Sequence, residues 1–147
     1  MSERSERDER RIALARAFLK AVDEHGDLGP LVTEDIQMTF PKWGTCDGTK
    51  DFPRYFADLG GYIARIAHHQ ETFLCLAGDD HVAIEGFSSG ELQNGGRWPD
   101  KGTTGRFCTI FGFRGDRISH VRIHIDPDYC DATADHYAWR RDRAAAD

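Results

Sequence analysis

Between His69 and Asp126 apolar residues recur at every second position in four segments: His69 to Ala77, His81 to Leu92, Arg106 to Phe113 and Arg117 to Asp126. A period of two belongs to strands with one face turned in and one turned out. The connections Gly78-Asp79-Asp80 and Arg114-Gly115-Asp116 read as hairpin turns, which accounts for the RGD tripeptide. NGGRWPDKGTTG, from Asn94 to Gly105, reads as a long glycine-rich hairpin loop. Four consecutive antiparallel strands form a meander whose inner face needs a cover from elsewhere in the chain.

That cover lies upstream. Ile12, Leu14, Ala15, Phe18, Leu19 and Val22 recur at helical spacing between Glu6 and His25, and Gly26 stops the run. A short second helix is expected from Leu28 to Val32. Ile36, Met38 and Phe40 then alternate with Gln37 and Thr39 until Pro41 ends a strand, and the loop KWGTCDGT follows. From Asp51 to Ala67, Phe52, Tyr55, Phe56, Leu59, Tyr62, Ile63 and Ile66 predict the main helix, with Thr49 or Asp51 as cap. Gly60 and Gly61 weaken its middle and mark the place for a bend or break. Helices segregated from a meander define an α+β domain, its sheet curled around the helices.

At 147 residues the chain suits one domain. We expect a charged extension over 1–10, the domain over 11–139 and a charged tail over 140–147. No apolar run approaches the roughly 20 residues that span a bilayer. MSERSERDERR is charged and lacks an apolar h-region, so the expected location is the cytoplasm. Cys46, Cys75, Cys108 and Cys130 are far apart with no CxxC pair, which reads as free thiols. A net charge of −6 argues against a nucleic-acid partner.

The last strand, RISHVRIHIDPDY, carries His120, Arg122, His124 and Asp126 on one side and Val121, Ile123 and Ile125 on the other. The polar row is a reaction centre or the wet, subunit-facing side of an ordinary sheet. Asp126, where the strand ends at Pro127, caps a DPD turn or, if desolvated beside a histidine, moves a proton. His124 is its natural partner, and otherwise a surface or interface histidine.

Of His68 and His69, neighbours on a strand, one faces inward; the alternation with Phe73 and Cys75 selects His69. Glu85, between apolar residues, needs a partner such as Arg106 or Arg122. It is a structural ion pair or an active-site carboxylate. Trp43, Tyr55, Tyr62, Tyr129, Tyr137 and Trp139 are core aromatics or the lining of a pocket. His120 and His124 lie about 13 Å apart on a strand, too far to share an ion, so no metal is expected.

DDHVAIEG (Asp79–Gly86), GRFCTIFGFRGDRIS (Gly105–Ser119), DPDY (Asp126–Tyr129) and HYAW (His136–Trp139), in this order, resemble the SnoaL-like polyketide cyclase branch of the nuclear transport factor two-like (NTF2-like) superfamily. The resemblance covers Arg11 to Trp139. It implies a cone, in which a strongly curved sheet and the helices enclose a mostly apolar pocket. The superfamily includes cofactor-free cyclases, steroid isomerases, epoxide hydrolases, dehydratases and non-catalytic proteins. Its enzymes use one or two buried carboxylates with His, Tyr or Arg for proton transfer.

Phe40 stands before Pro41 where the steroid isomerases place an aspartate, and the first helix has no tyrosine. Gly86, Ser88 and Ile123 stand where the epoxide hydrolases place an Arg-x-Asp pair and a further aspartate. The resemblance turns Val121, Ile123 and Ile125 toward the pocket and His120, Arg122 and His124 toward the convex face, often a dimer contact. A homodimer is therefore expected.

The function the resemblance implies is a small cofactor-independent enzyme of cyclase, isomerase or dehydratase type, in secondary metabolism, acting by general acid–base catalysis with no cofactor. Its substrate is an apolar polyketide- or terpenoid-like metabolite. Asp126 moves the proton, His124 or His69 orients it or serves as second acid/base, and Trp43, Tyr55, Tyr62, Glu85, Ile123 and Trp139 meet the substrate. The alternative is a binding or assembly module of the same fold.

Overall fold

The structure is a computed structural model that describes residues 4–100 and 103–137. The first helix, α1 (Glu6–Asp23), starts where Ser5 Oγ accepts the Asp8 N–H at 3.1 Å. Glu6, Asp8 and Glu9 occupy its first turn and Lys20 its last, the distribution the helix dipole favours. Ile12, Ala15, Phe18 and Leu19 are buried along one stripe, and Phe18 meets Phe111 edge to face at 5.7 Å.

Nine further elements follow: β1 (Val32–Phe40), β2 (Gly44–Asp47), α2 (Phe52–Gly60), β3 (Ile63–His68), β4 (Leu74–Gly78), β5 (His81–Leu92), β6 (Arg97–Trp98), β7 (Arg106–Arg114) and β8 (Arg117–Ile125). The sheet order is β2-β1-β8-β7-β5-β3, antiparallel except between β1 and β8. The long strand β5 is shared: β4 pairs its first half and β3 its second. Register shifts interrupt β1/β8, β7/β8 and β3/β5, and such bulges bend a sheet around its inner layer. The result is the NTF2-like cone with α1 and α2 over its concave face.

Arg11 fixes the narrow end. Its buried guanidinium donates to the Asp79 carbonyl at 2.9 Å and the Gly115 carbonyl at 3.2 Å, pairs with Asp80 at 3.0 Å, and lies over the Phe113 ring. One side chain thus ties α1 to both short hairpin turns read from the sequence. At the wide end Trp98 crosses β5 at Gly90, where an added Cβ would come within 2.3 Å of the indole and of the Arg65 carbonyl. The indole N–H donates to Ser88 Oγ at 3.1 Å, and Tyr129 stacks on it with centroids 4.3 Å apart.

Four expectations change. The helix predicted over Asp51 to Ala67 ends at Gly60, and residues 63–68 form β3 instead. Two adjacent glycines are a poor helix interior, and pairing with β5 outweighs the helical spacing of Ile63 and Ile66. The strand predicted from His69 begins only at Leu74, because Gln70–Thr72 form a 3-10 turn. The second helix is a single 3-10 turn, Gly29–Leu31, and the loop after Pro41 contains β2.

Candidate functional site

Between the helices and the concave face lies a cavity of about 420 Å³. Phe18 and Leu19 of α1 and Tyr55, Phe56 and Leu59 of α2 form its roof. Met38, Ile66, Phe107, Val121, Ile123 and Ile125 are among the residues of its floor. The inward alternation of β8 therefore delivers apolar side chains to the lumen. Among the described residues no lysine or arginine lines it.

One titratable group of that wall is His68, the last residue of β3. Its Nδ1 lies 2.6 Å from Asp23 Oδ1, and its backbone N–H donates to Asp23 Oδ2 at 2.7 Å. The two side chains are 10% and 17% exposed, which keeps water from competing for the contact. The Phe107 ring stands edge-on to the imidazole at 4.9 Å. An ionised carboxylate only accepts hydrogen bonds, so in the neutral imidazole Nδ1 carries the proton and Nε2 the lone pair. No hydrogen bond joins Nε2 to another described residue. Asp23 closes α1, where the helix dipole disfavours a carboxylate, and its two donors from β3 offset that placement. The arrangement is a carboxylate-oriented base opening on an apolar lumen.

Asp126 lies elsewhere. It is exposed, its Oδ1 accepts the Asp128 N–H at 2.9 Å, and it borders a separate hollow of about 140 Å³ with Thr104 and Arg106. His124 is exposed, opposite Cys108 on the outer face of the sheet. His69 is not the inward member of its pair: Nε2 is 2.9 Å from Ser89 Oγ, the side chain is 39% exposed, and the cavity wall holds His68 instead. The corner that separates β3 from β4 inverts the alternation on which the choice of His69 depended. Glu85 forms an ion pair with Arg106, which also lies over the Phe87 ring at 4.6 Å. The structure thus brings neither Asp126 and His124 nor Glu85 to the cavity.

Tyr55 and Ile123 do line it. The Tyr55 hydroxyl donates to the Gly44 carbonyl at 3.0 Å, and burial pushes its pKa up to about 12. Trp43 packs between Phe40 and Tyr62, with ring centroids at 5.3 and 5.4 Å, and borders a shallow outer hollow. Trp139 lies outside the described residues. Tyr129, 3% exposed, closes the wide end; its hydroxyl is buried with no hydrogen-bond partner among the described residues, and burial pushes its pKa far up. Among the described residues no group of three or more His, Cys, Asp or Glu could hold a metal ion, and the four cysteines are free thiols.

Sequence reasoning missed Asp23, His68 and Thr109, a buried residue of the floor. One signal for Asp23 was present: an acidic residue in a final helical turn needs a donor from outside the helix.

A family model described as the SnoaL-like domain matches residues 15–121. No curated protein matches the sequence. Among solved structures, a proposed SnoaL-like polyketide cyclase from Jannaschia sp. CCS1 superposes with a TM-score of 0.67 at 12% identity, covering 90% of this chain and 99% of that one. A protein of ketosteroid isomerase-like fold from Catenulispora acidiphila, in complex with trimethylamine, gives a TM-score of 0.61 at 20% identity, covering 81% and 89%. TerC, co-crystallised with polyporic acid, gives 0.64 at 16% identity, covering 86% and 95%.

Proposed function

The chain belongs to the SnoaL-like family of NTF2-like folds, and from that premise we propose that it is a cofactor-independent acid–base enzyme of cyclase, isomerase or dehydratase type. Its substrate is an apolar metabolite of polyketide or terpenoid kind. The observation that carries the reading is His68, held by Asp23, in the wall of a largely apolar cavity.

Nε2 of His68 takes a proton from a carbon or oxygen of the bound substrate. The imidazolium that results lies against the Asp23 carboxylate, which needs no reorganisation to receive it. The same proton then returns to another atom of the substrate, so isomerisation and intramolecular cyclisation consume no other reactant. In a dehydration it goes to the departing hydroxyl. The apolar wall excludes water and holds the substrate in its reactive fold, a contribution from positioning. By proportion to the roughly 150 Å³ apolar cavity that accepts benzene, a cavity of about 420 Å³ holds a ligand of about 17 non-hydrogen atoms. The small molecules bound to two relatives of the same fold support a ligand-binding cone here.

The test uses a surrogate ketone in place of the natural substrate. In D2O, deuterium entry into the acidic C–H positions of 2-tetralone is followed by NMR with and without the protein. Wild type accelerates exchange and His68→Gln loses the acceleration, while both melt alike. Full exchange by His68→Gln removes His68 as the base. No acceleration by wild type with ligand still bound favours the second reading, a binding module, which the placement of Asp126, His124 and Glu85 outside the cavity supports.

The chain acts in the cytoplasm as a homodimer through the outer sheet face. There Leu74 and Leu76 are 55% and 60% exposed, and Ala83 and Ile110 continue the Leu76 row. Among the described residues no helix is long and apolar enough to cross a membrane.

A further inference from the structure

Three residues with a side-chain hydroxyl are almost wholly buried in strands of this fold, and they are not alike. Ser88 Oγ donates to the Gly105 carbonyl at 3.1 Å and accepts the Trp98 indole N–H. Ser119 Oγ reaches the Gly112 carbonyl at 3.3 Å. Thr109 is 1% exposed, and its hydroxyl has no hydrogen bond to any other described residue.

Thr109 sits in the middle of β7, between Ile84 of β5 and Ile123 of β8, and lines the cavity. Valine has its shape, suits a strand equally well and leaves no polar group unpaired. Packing alone therefore gives no reason for a hydroxyl here.

The position of the hydroxyl supplies one. Phe107, two residues along the same face of β7, meets the His68 ring edge to face, and Thr109 and His68 line the same cavity. With Nδ1–H given to Asp23, the neutral imidazole accepts through Nε2 and cannot donate. A ligand oxygen must find its donor elsewhere. The Tyr55 hydroxyl is committed to Gly44, the Tyr129 hydroxyl is sealed in packing, and His25 and Asp27 stand on the exposed rim. With no lysine or arginine among the described lining residues, the wall also offers no permanent positive charge to an anionic group.

We propose that Thr109 is a ligand-positioning residue, donating to the carbonyl oxygen of a neutral and otherwise apolar ring ketone and setting its acidic C–H against His68 Nε2. The proposal rests on reading the cone as a small-molecule site, and it names the chemical class that site takes.

The experiment compares 1-tetralone with tetralin, the same ring system without the oxygen, by titration calorimetry against wild type, Thr109→Val and Thr109→Ser. The readout is the ratio of the two affinities, in which differences in partitioning from water cancel between variants. Thr109→Val shifts that ratio against the ketone by about fivefold, the worth of one neutral hydrogen bond. Thr109→Ser keeps the wild-type ratio, and ligand-free Thr109→Val melts at or above the wild-type temperature. A ratio unchanged in Thr109→Val overturns the proposal while leaving the cone a ligand site. If wild type binds neither compound, the small-molecule reading falls and the proposal with it. A ratio that shifts while His68→Gln keeps full deuterium exchange upholds Thr109 and removes only the acid–base chemistry.

Discussion

Replacing Asp23 by Asn removes a charge and almost no volume, and its effect follows from the donors it faces. The carboxylate receives two, the His68 backbone N–H at 2.7 Å and Nδ1–H at 2.6 Å. An amide has one acceptor oxygen. If that oxygen keeps the backbone N–H, the amide N–H2 meets Nδ1 and forces the proton onto Nε2, so the lumen is presented with a donor where it had a base. Losing a hydrogen bond to a charged acceptor costs about 1.5–3 kcal/mol. Removing a carboxylate from a helix C-terminus returns about 0.3–1 kcal/mol. The net loss is about 2 kcal/mol, roughly 5 °C in melting temperature for a domain of this size. Deuterium exchange into 2-tetralone falls about 10²- to 10⁴-fold. Thermal melting by circular dichroism and the NMR exchange rate read the two quantities separately. An Asp23→Asn protein that exchanges deuterium at the wild-type rate would refute the assignment of Asp23 as the group that sets the tautomer.

Other outcomes are as definite. Tyr129→Phe deletes a buried hydroxyl without a partner among the described residues and stabilises the fold by up to about 1 kcal/mol, read as a higher urea midpoint. Tyr55 ionises only near pH 12 in the folded chain against about 10 when unfolded. Its stabilising contribution is therefore present below pH 10 and is lost as pH rises toward 12, so wild type loses stability between pH 9.5 and 11 more steeply than Tyr55→Phe. Phe18→Ala, which opens the packing against Phe111, costs about 3–5 kcal/mol by denaturant titration. Leu76→Glu places a charge in the exposed apolar row of the outer face and converts the proposed dimer to monomer in size exclusion with light scattering. A wild-type chain already monomeric at micromolar concentration removes that interface.

The parts of this fold visible in the sequence are those where local pattern and tertiary pairing agree. The stripe of α1 and the alternation of β5, β7 and β8 carry one period each, and the structure keeps both. Residues 62–68 satisfy two patterns. Tyr62, Ile63 and Ile66 continue the helical spacing of α2, yet Ile63 and Ile66 also serve a strand with a bulge, and hydrogen bonds to β5 decide between them. That single boundary governs the site, because a strand ending at His68 followed by a 3-10 turn points His68, not His69, into the cone. Asp23 looks like one more charge on a charged helix until its partner 45 residues away is in place. Thr109 alternates like any strand residue, and only the absence of a bond at its hydroxyl distinguishes it.

Arg11 has a consequence for how a ligand comes and goes. With α1 bolted at the tip to both hairpin turns, thermal opening there requires several bonds to break together, whereas α2 ends on a glycine pair at the wide end. Motion is thus expected to be graded from tip to rim, with α2, which shares the roof of the lumen with α1, yielding first. The expected entry route is under α2, so association rates should respond to Gly60→Ala or Gly61→Ala, measured by stopped flow, while substitutions at Arg11 change stability alone.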